Sequence, residues 1–205
     1  MNSAAGMFPA SLGETMKPNG FKTVMEIDVM GTYNVCYSAF EALKACGKGV
    51  IVNVTVPPHH LEGRNWWVSH MNSAKAAITT MSHSMAKEWA EFGIRVGNVG
   101  PGSIADTPAQ LKQGSGEGVT ATASKLSPEG IPVAAYVPLK RMGTSFECAM
   151  AVVFLCVSEY ITAETITVDG GWWLGGEGPP VPRETLLQVT KANEAKSRAL
   201  APSKL

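Results

Sequence analysis

The stretch from His70 to Ile104 constrains the fold more than any other part of this 205-residue chain. Apolar residues fall at 74, 77, 78, 81, 85, 89 and 92, a single stripe at helical period. Gly93 then supplies a left-handed stop. Ile94 to Val99 reads as a short strand, and Pro101-Gly102 breaks it. The unit is helix, tight turn, strand, loop. Lys75 lies one position off the apolar stripe, so it borders the core. Two readings stay open for it: a stem lying along apolar surface with its amine reaching water, or a cation placed at a site.

The rest of the chain repeats this alternation. Residues 1 to 7 look like the end of a strand running into a small-residue turn. Residues 9 to 19 carry prolines and turn formers and read as loop. Residues 20 to 46 read as one long helix with Val24, Ile27, Gly31, Val35, Ala39, Leu43 and Cys46 on its buried face. Asp28 falls on that face. A carboxylate in an apolar stripe is costly unless it is paired or hydrogen-bonded. That marks Asp28 as a site candidate, against the plain alternative of a flank residue reaching water. Gly49 to Thr55 is almost wholly apolar and β-branched, as in a parallel strand covered on both faces. Residues 56 to 69 read as loop, and 105 to 140 as a lid of mixed composition. Phe146 to Ser158 is apolar nearly all round, which predicts a buried helix. Thr165 to Val168 reads as the last strand, closed by Gly170-Gly171. A Pro/Gly-rich segment and an amphipathic stretch follow from Gly175.

Alternating strands and helices predict an α/β fold, a partial Rossmann-like doubly wound parallel sheet with helices on both faces. Composition narrows the function classes. The hydrophobic fraction of 45% is enough for a substantial core. Basic and acidic residues balance at 17 each, with no basic run or aromatic-basic interleaving, which speaks against a nucleic-acid partner. The apolar run Ala149 to Val157 falls far short of the ~18 residues a membrane span needs, and no secretory signal is expected at the N-terminus. Cys36, Cys46, Cys148 and Cys156 form no close Cys-x-x-Cys pair, so they read as small core residues rather than a zinc or disulfide framework.

Several of these segments carry a resemblance. Ser73-Ala74-Lys75-Ala76-Ala77, Glu88-Trp89, Ile94-Arg95-Val96 and Pro101-Gly102-Ser103-Ile104 resemble the second half of a short-chain dehydrogenase/reductase. Ala4-Ala5-Gly6, the run Phe21 to Asp28, and Val168-Asp169-Gly170-Gly171 before Trp172 resemble the peroxisomal 2,4-dienoyl-CoA reductases within that superfamily. The resemblance implies that residues 1–205 are the C-terminal two-thirds of one NADP-binding Rossmann-like domain, with 175–205 as a Pro/Gly-rich segment and targeting tail. The superfamily's first strand and the glycine-rich turn that cradles the cofactor diphosphate would be absent. Gly100-Pro101-Gly102-Ser103-Ile104-Ala105 fits that fingerprint only formally, because Pro101 has no N–H to offer a phosphate.

The resemblance also implies roles. NADPH would be held by Asn2, Ala4, Ala5, Gly6, Lys75, Pro101, Gly102, Ser103, Ile104 and Thr107. Phe8, Lys17, Asn19 and Lys112 would touch the acyl-CoA substrate, a ring and two cations suiting an acyl chain and CoA phosphates. The superfamily's usual tyrosine, four residues before the lysine, is Met71 here, and a thioether moves no proton. In the dienoyl-CoA reductases an aspartate and the lysine carry the chemistry, which implies Asp28 and Lys75. His60 and His70 are candidate donors by residue type, but loop histidines are more often surface residues and neither is counted in the site. Ser203-Lys204-Leu205 is a peroxisomal address when it ends a chain, read by the import receptor. The resemblance further implies a homo-oligomer, a tetramer in the family. Two alternatives stand beside the dienoyl-CoA reductase: a peroxisomal 2-enoyl-CoA reductase, and a catalytically silent fragment. A chain without the diphosphate turn is expected to bind NADPH weakly and to aggregate.

Overall fold

The computed structural model describes residues 1–3, 5, 16–58, 68–105, 107 and 137–174. Three parallel strands form the sheet: β1 (Val50–Val54), β2 (Arg95–Pro101) and β3 (Thr165–Val168), in that spatial order. Val50 pairs with Arg95 and Asn98 with Thr165, which sets the two registers. The expected partial strand at the N-terminus is one parallel bridge, Asn2 to Asn53. It is closed by Asn2 N–H to the Val52 carbonyl and Val54 N–H to the Asn2 carbonyl, each 2.9 Å.

Helices cover both faces. On one, Cys36, Met85 and Ala86 pack against Ile51 and Val96. On the other, Ala151 and Leu155 pack against Val52 and Val99. Adjacent strand residues thus serve opposite layers, which is why the strands read as continuous apolar runs.

The helix expected over 20–46 is broken into three segments: α1 (Pro18–Met25), a π turn (Glu26–Met30) and α2 (Gly31–Cys46). Its buried face differs from the expected one. Val24, Asp28, Thr32 and Cys36 are buried, whereas Ile27 and Val35 are 43% and 56% exposed and Cys46 lies at the surface. The wider π turn explains the change, since across Glu26–Met30 it carries the buried stripe from Val24 to Asp28 to Thr32 in steps of four, and the regular helix continues it to Cys36. Further along, Ala39 and Leu43 return to a half-buried position.

The helix after β1 is α3 (Ser69–Trp89), which begins before the apolar stripe does. Its buried side includes Ala74, Ile78 and Met85, but also His70, Asn72, Lys75, Thr79 and Ser82. A short 3-10 turn, Ala90–Phe92, leads to Gly93 at φ +70°. A Cβ there would lie 2.1 Å from the Gly47 carbonyl oxygen, so the close approach admits only glycine.

The last helix, α4 (Ser145–Val157), starts with a full capping box: Thr144 Oγ1 accepts from Glu147 N–H, and Glu147 accepts from Thr144 N–H. Arg141 Nη1 also donates to Glu147 Oε2 at 2.9 Å, and these donors hold the Glu147 carboxyl at about 2. The other end is closed by Arg95, which donates to the Leu155 carbonyl at 2.7 Å and the Cys156 carbonyl at 2.9 Å. The expectation that this helix is buried all round does not hold. Only Ala151 and Leu155 are buried, while Phe146, Met150, Val153, Phe154 and Val157 are exposed. One sheet face covers only one side of the helix, and among the described residues nothing packs on the outer side.

Gly93→Ala is expected to destabilise the fold by roughly 2 kcal/mol or more, since left-handed strain adds to the clash with Gly47; urea denaturation measures it. Glu147→Gln tests the cap. The carboxylate's contribution is fully present above the ordinary value of 4.5 and is lost as pH falls through about 2. Wild-type stability is therefore expected to drop across that window more than that of the variant, and parallel acid limbs in the two proteins would remove the role assigned to the cap.

Candidate functional site

The carboxyl ends of β1 and β2 lie at one edge of the sheet, where open α/β sheets place their ligands. Lys75, in the second turn of α3, reaches that edge. Its Nζ donates to the carbonyl of Val54, the last residue of β1, at 3.1 Å. It stands 3.4 Å from Asp28 Oδ2 in the π turn. Lys75 is 4% exposed and Asp28 0%. Of the two sequence readings for Lys75, the snorkelling stem therefore fails, because the amine itself is buried. Asp28 likewise does not reach water.

Burial pushes the Lys75 amine below the ordinary lysine value, and the charge and hydrogen bond of Asp28 pull it partly back. The folded amine thus holds its proton less tightly than the unfolded one. The cost of burying it falls away as pH rises toward about 10.4. A buried pair of this kind does little for stability and is costly to break. Such pairs are frequent where a protein needs a charge at a fixed place.

The loop after β2 forms the other wall of the edge. Gly102 N–H donates to the Val168 carbonyl, and Ala105 N–H to the Gly143 carbonyl. Ile104 is buried and bridges to Gly143, and its carbonyl accepts from Thr107 Oγ1 at 3.1 Å. Among the described residues no helix opens at 100–105. Pro101, Gly102 and Ser103 are half-buried there. Asn2 sits beside β1, and Ala5 is exposed. Lys17 caps α1 and Asn19 lies in its first turn, both exposed, so neither stands with the buried pair. Ala4, Gly6, Phe8, His60 and Lys112 lie outside the described residues, as do residues 106 and 108–136 of the segment expected to be a lid and the stretch from 175. Met71 is half-buried in the first turn of α3, and His70 is wholly buried beside it.

Three polar residues escaped the sequence reading. Asn53, Ser82 and Asn98 are buried, between 0% and 1% exposed. Asn53 Nδ2 donates to Ser82 Oγ at 2.9 Å, and Ser82 Oγ lies 2.8 Å from Asn98 Oδ1. The signal was present: an asparagine interrupts each of two otherwise apolar strands, and a buried amide must be hydrogen-bonded.

Comparison with known proteins settles the family. Residues 1–173 match the family model described as Enoyl-(Acyl carrier protein) reductase. The chain is 36% identical to the peroxisomal 2,4-dienoyl-CoA reductase [(3E)-enoyl-CoA-producing] of Arabidopsis thaliana, covering 97% of this chain and 65% of that protein. The chain belongs to the short-chain dehydrogenase/reductase family. The Danio rerio protein of the same name is also 36% identical, covering 96% of this chain and 61% of its own length. A solved short chain dehydrogenase/reductase family protein superposes with a TM-score of 0.68 at 29% identity, over 83% of this chain and 65% of that one. The chain thus spans less than two thirds of these family members, and its α/β architecture is theirs. Among the described residues no helix is long and apolar enough to cross a membrane, and no group of three or more His, Cys, Asp or Glu could hold a metal.

Lys75→Met alone is expected to cost about 3–5 kcal/mol, because it removes the ion pair from the buried Asp28 carboxylate. Lys75→Met with Asp28→Leu should recover most of that loss. A double-mutant cycle by urea denaturation reads the coupling, and additive losses would show that the two charges act independently.

Proposed function

We propose that this family member carries the ribose, nicotinamide and acyl side of an NADPH-dependent reductase of 2,4-dienoyl-CoA, giving 3-enoyl-CoA. The observation that carries the reading is the buried Asp28–Lys75 pair at the sheet's carboxyl edge, with Met71 where a proton-transferring tyrosine would stand. The printed names of the Arabidopsis thaliana and Danio rerio relatives support the substrate.

The donor set fits the ribose and nicotinamide side of the cofactor. Lys75 is a buried ammonium with three donors, suited to ribose hydroxyls, and the backbone at Ser103 and Ile104 suits a carboxamide. Asn2, Ala4, Ala5, Gly6, Pro101, Gly102 and Thr107 complete that side in this reading. When bound, NADPH supplies a hydride to the far end of the diene. Charge then grows toward the thioester oxygen, where the positive potential of Lys75 lowers the barrier. Asp28 orients and polarises a water that delivers a proton to the carbon beside the carbonyl. One hydride and one proton balance the reduction. A tyrosine is not needed, because no alcohol is formed. Phe8, Lys17, Asn19 and Lys112 are proposed contacts of the acyl-CoA.

Peroxisomal localisation, with Ser203-Lys204-Leu205 as the address, and a homo-oligomeric state belong to the same proposal; the relatives' printed names support the former. Deletion of the tripeptide from a tagged chain is expected to move it to the cytosol.

Turnover decides the chemistry. Lys75→Ala is expected to abolish reduction in the protein with a complete cofactor site. Asp28→Asn should lower kcat by about 100-fold or more while NADPH affinity stays within a few-fold. Equal loss of cofactor binding in both variants would overturn this division of roles. Hexadienoyl-CoA should be reduced and hexenoyl-CoA should not; the reverse preference would favour a 2-enoyl-CoA reductase.

A further inference from the structure

Four residues stand in one row across the sheet. Asn2 is bridged to Asn53, Asn53 is in register with Asn98, and Asn98 with Thr165. Ser82 of α3 closes the row from above. The hydrogen bonds run head to tail. Asn2 Nδ2 donates to Asn53 Oδ1 at 2.8 Å. Asn53 Nδ2 donates to Ser82 Oγ at 2.9 Å. Ser82 Oγ has one hydrogen to give and two acceptors at 2.8 Å, Asn98 Oδ1 and the Ile78 carbonyl. Asn98 Nδ2 donates to Thr165 Oγ1 at 3.2 Å. Asn53 accepts from Asn2 and donates to Ser82, so the row runs with one polarity as far as the Ser82 hydroxyl, and these bonds reinforce each other.

Stability alone is a poor account of this arrangement, because apolar residues would fill a sheet–helix interface at no desolvation cost. What apolar packing does not fix is registration. Lys75 and Ser82 lie two turns apart on one face of α3. They bind adjacent residues of β1, Lys75 through the Val54 carbonyl and Ser82 through the Asn53 side chain. Two directional contacts stop the helix from sliding or rolling on the strand, whereas one would leave it a pivot. The same two strand residues hold the N-terminal segment: Val54 N–H binds the Asn2 carbonyl, and Asn53 Oδ1 binds the Asn2 side chain.

We propose that Asn53 and Ser82 are positioning residues, whose shared polar row fixes Lys75 and the backbone at Asn2 in a single register without either side chain touching a ligand. The proposal rests on the reading of Lys75 as the cation of the site. It adds to that reading the means by which two segments far apart in sequence meet one ligand.

The test reads Lys75 directly, by following its side-chain 13Cε and 15Nζ resonances through a pH titration of the whole chain. In Ser82→Ala the helix loses its second anchor. The Lys75 titration is then expected to move up toward the ordinary lysine value as the amine becomes less buried. Ser82→Thr keeps the hydroxyl and should restore the wild-type curve. Thr165→Val cuts only the far end of the row, and is expected to lower stability while leaving Lys75 unchanged. Ser82→Cys keeps the shape and weakens the bonds to Asn53 and Asn98, so it gives the same comparison in a milder form if Ser82→Ala does not fold. A folded Ser82→Ala with an unmoved Lys75 titration overturns the proposal, as does an equal shift in Thr165→Val. No substrate enters the measurement. A chain that fails to reduce a dienoyl thioester therefore counts against the functional reading and leaves the positioning result standing.

Discussion

The contact between the Lys75 amine, the Asp28 carboxylate and the Val54 carbonyl is the joint on which the site depends. It brings together a π turn, the first strand and the central helix, elements that share no local sequence. Two charges removed from water must satisfy one another at close range, or the fold pays several kcal/mol for each. The rest of the region is shaped by that demand. The π turn places Asp28 inward where a regular helix stripe would favour Ile27. The carboxyl end of β1 supplies a carbonyl at the height the amine reaches.

A second layer of polar contacts supports this joint from beneath. Asn2, Asn53, Asn98 and Thr165 occupy one register row across the sheet, and Ser82 of α3 closes it. The apolar clusters on the two faces supply most of the burial that holds helix against strand. They are tolerant of small sliding motions, since dispersion is not directional. Hydrogen bonds are directional, and only directional contacts fix a side chain such as Lys75 to within a fraction of an ångström. The division is of labour: apolar packing makes the layers adhere, and the polar row sets their alignment.

The exposed apolar side of α4 belongs to the same physical picture. A helix apolar nearly all round is expected to be enclosed, yet one sheet face can cover only one side of it. The helix is held instead by its ends. Thr144 and Glu147 close the start, and Arg95 takes the carbonyls at the finish. The chain spans less than two thirds of its family relatives, and the outer side of this helix is one of the places where its own described residues stop short of a complete hydrophobic enclosure.

Much of the architecture was legible in the residues. Strand positions, the left-handed stop at Gly93, the closing pair Gly170-Gly171 and the α/β alternation follow from period and turn chemistry, which act over a few neighbouring residues. Asp28 was visible as a site candidate for the same reason, a carboxylate in an apolar stripe. Asn53, Ser82 and Asn98 were not, because an amide inside a strand or a serine inside a helix is unremarkable until its partner is known. The buried face of the first helix and the exposure of α4 were also beyond the sequence. A π turn shifts the stripe by less than local propensity can register, and burial depends on what stands opposite. Sequence alone determined which segments are helix and strand, and which residue types were available for chemistry. Only the tertiary structure decided which of them meet, because the free energy of a buried charge or amide is set by partners that lie far along the chain.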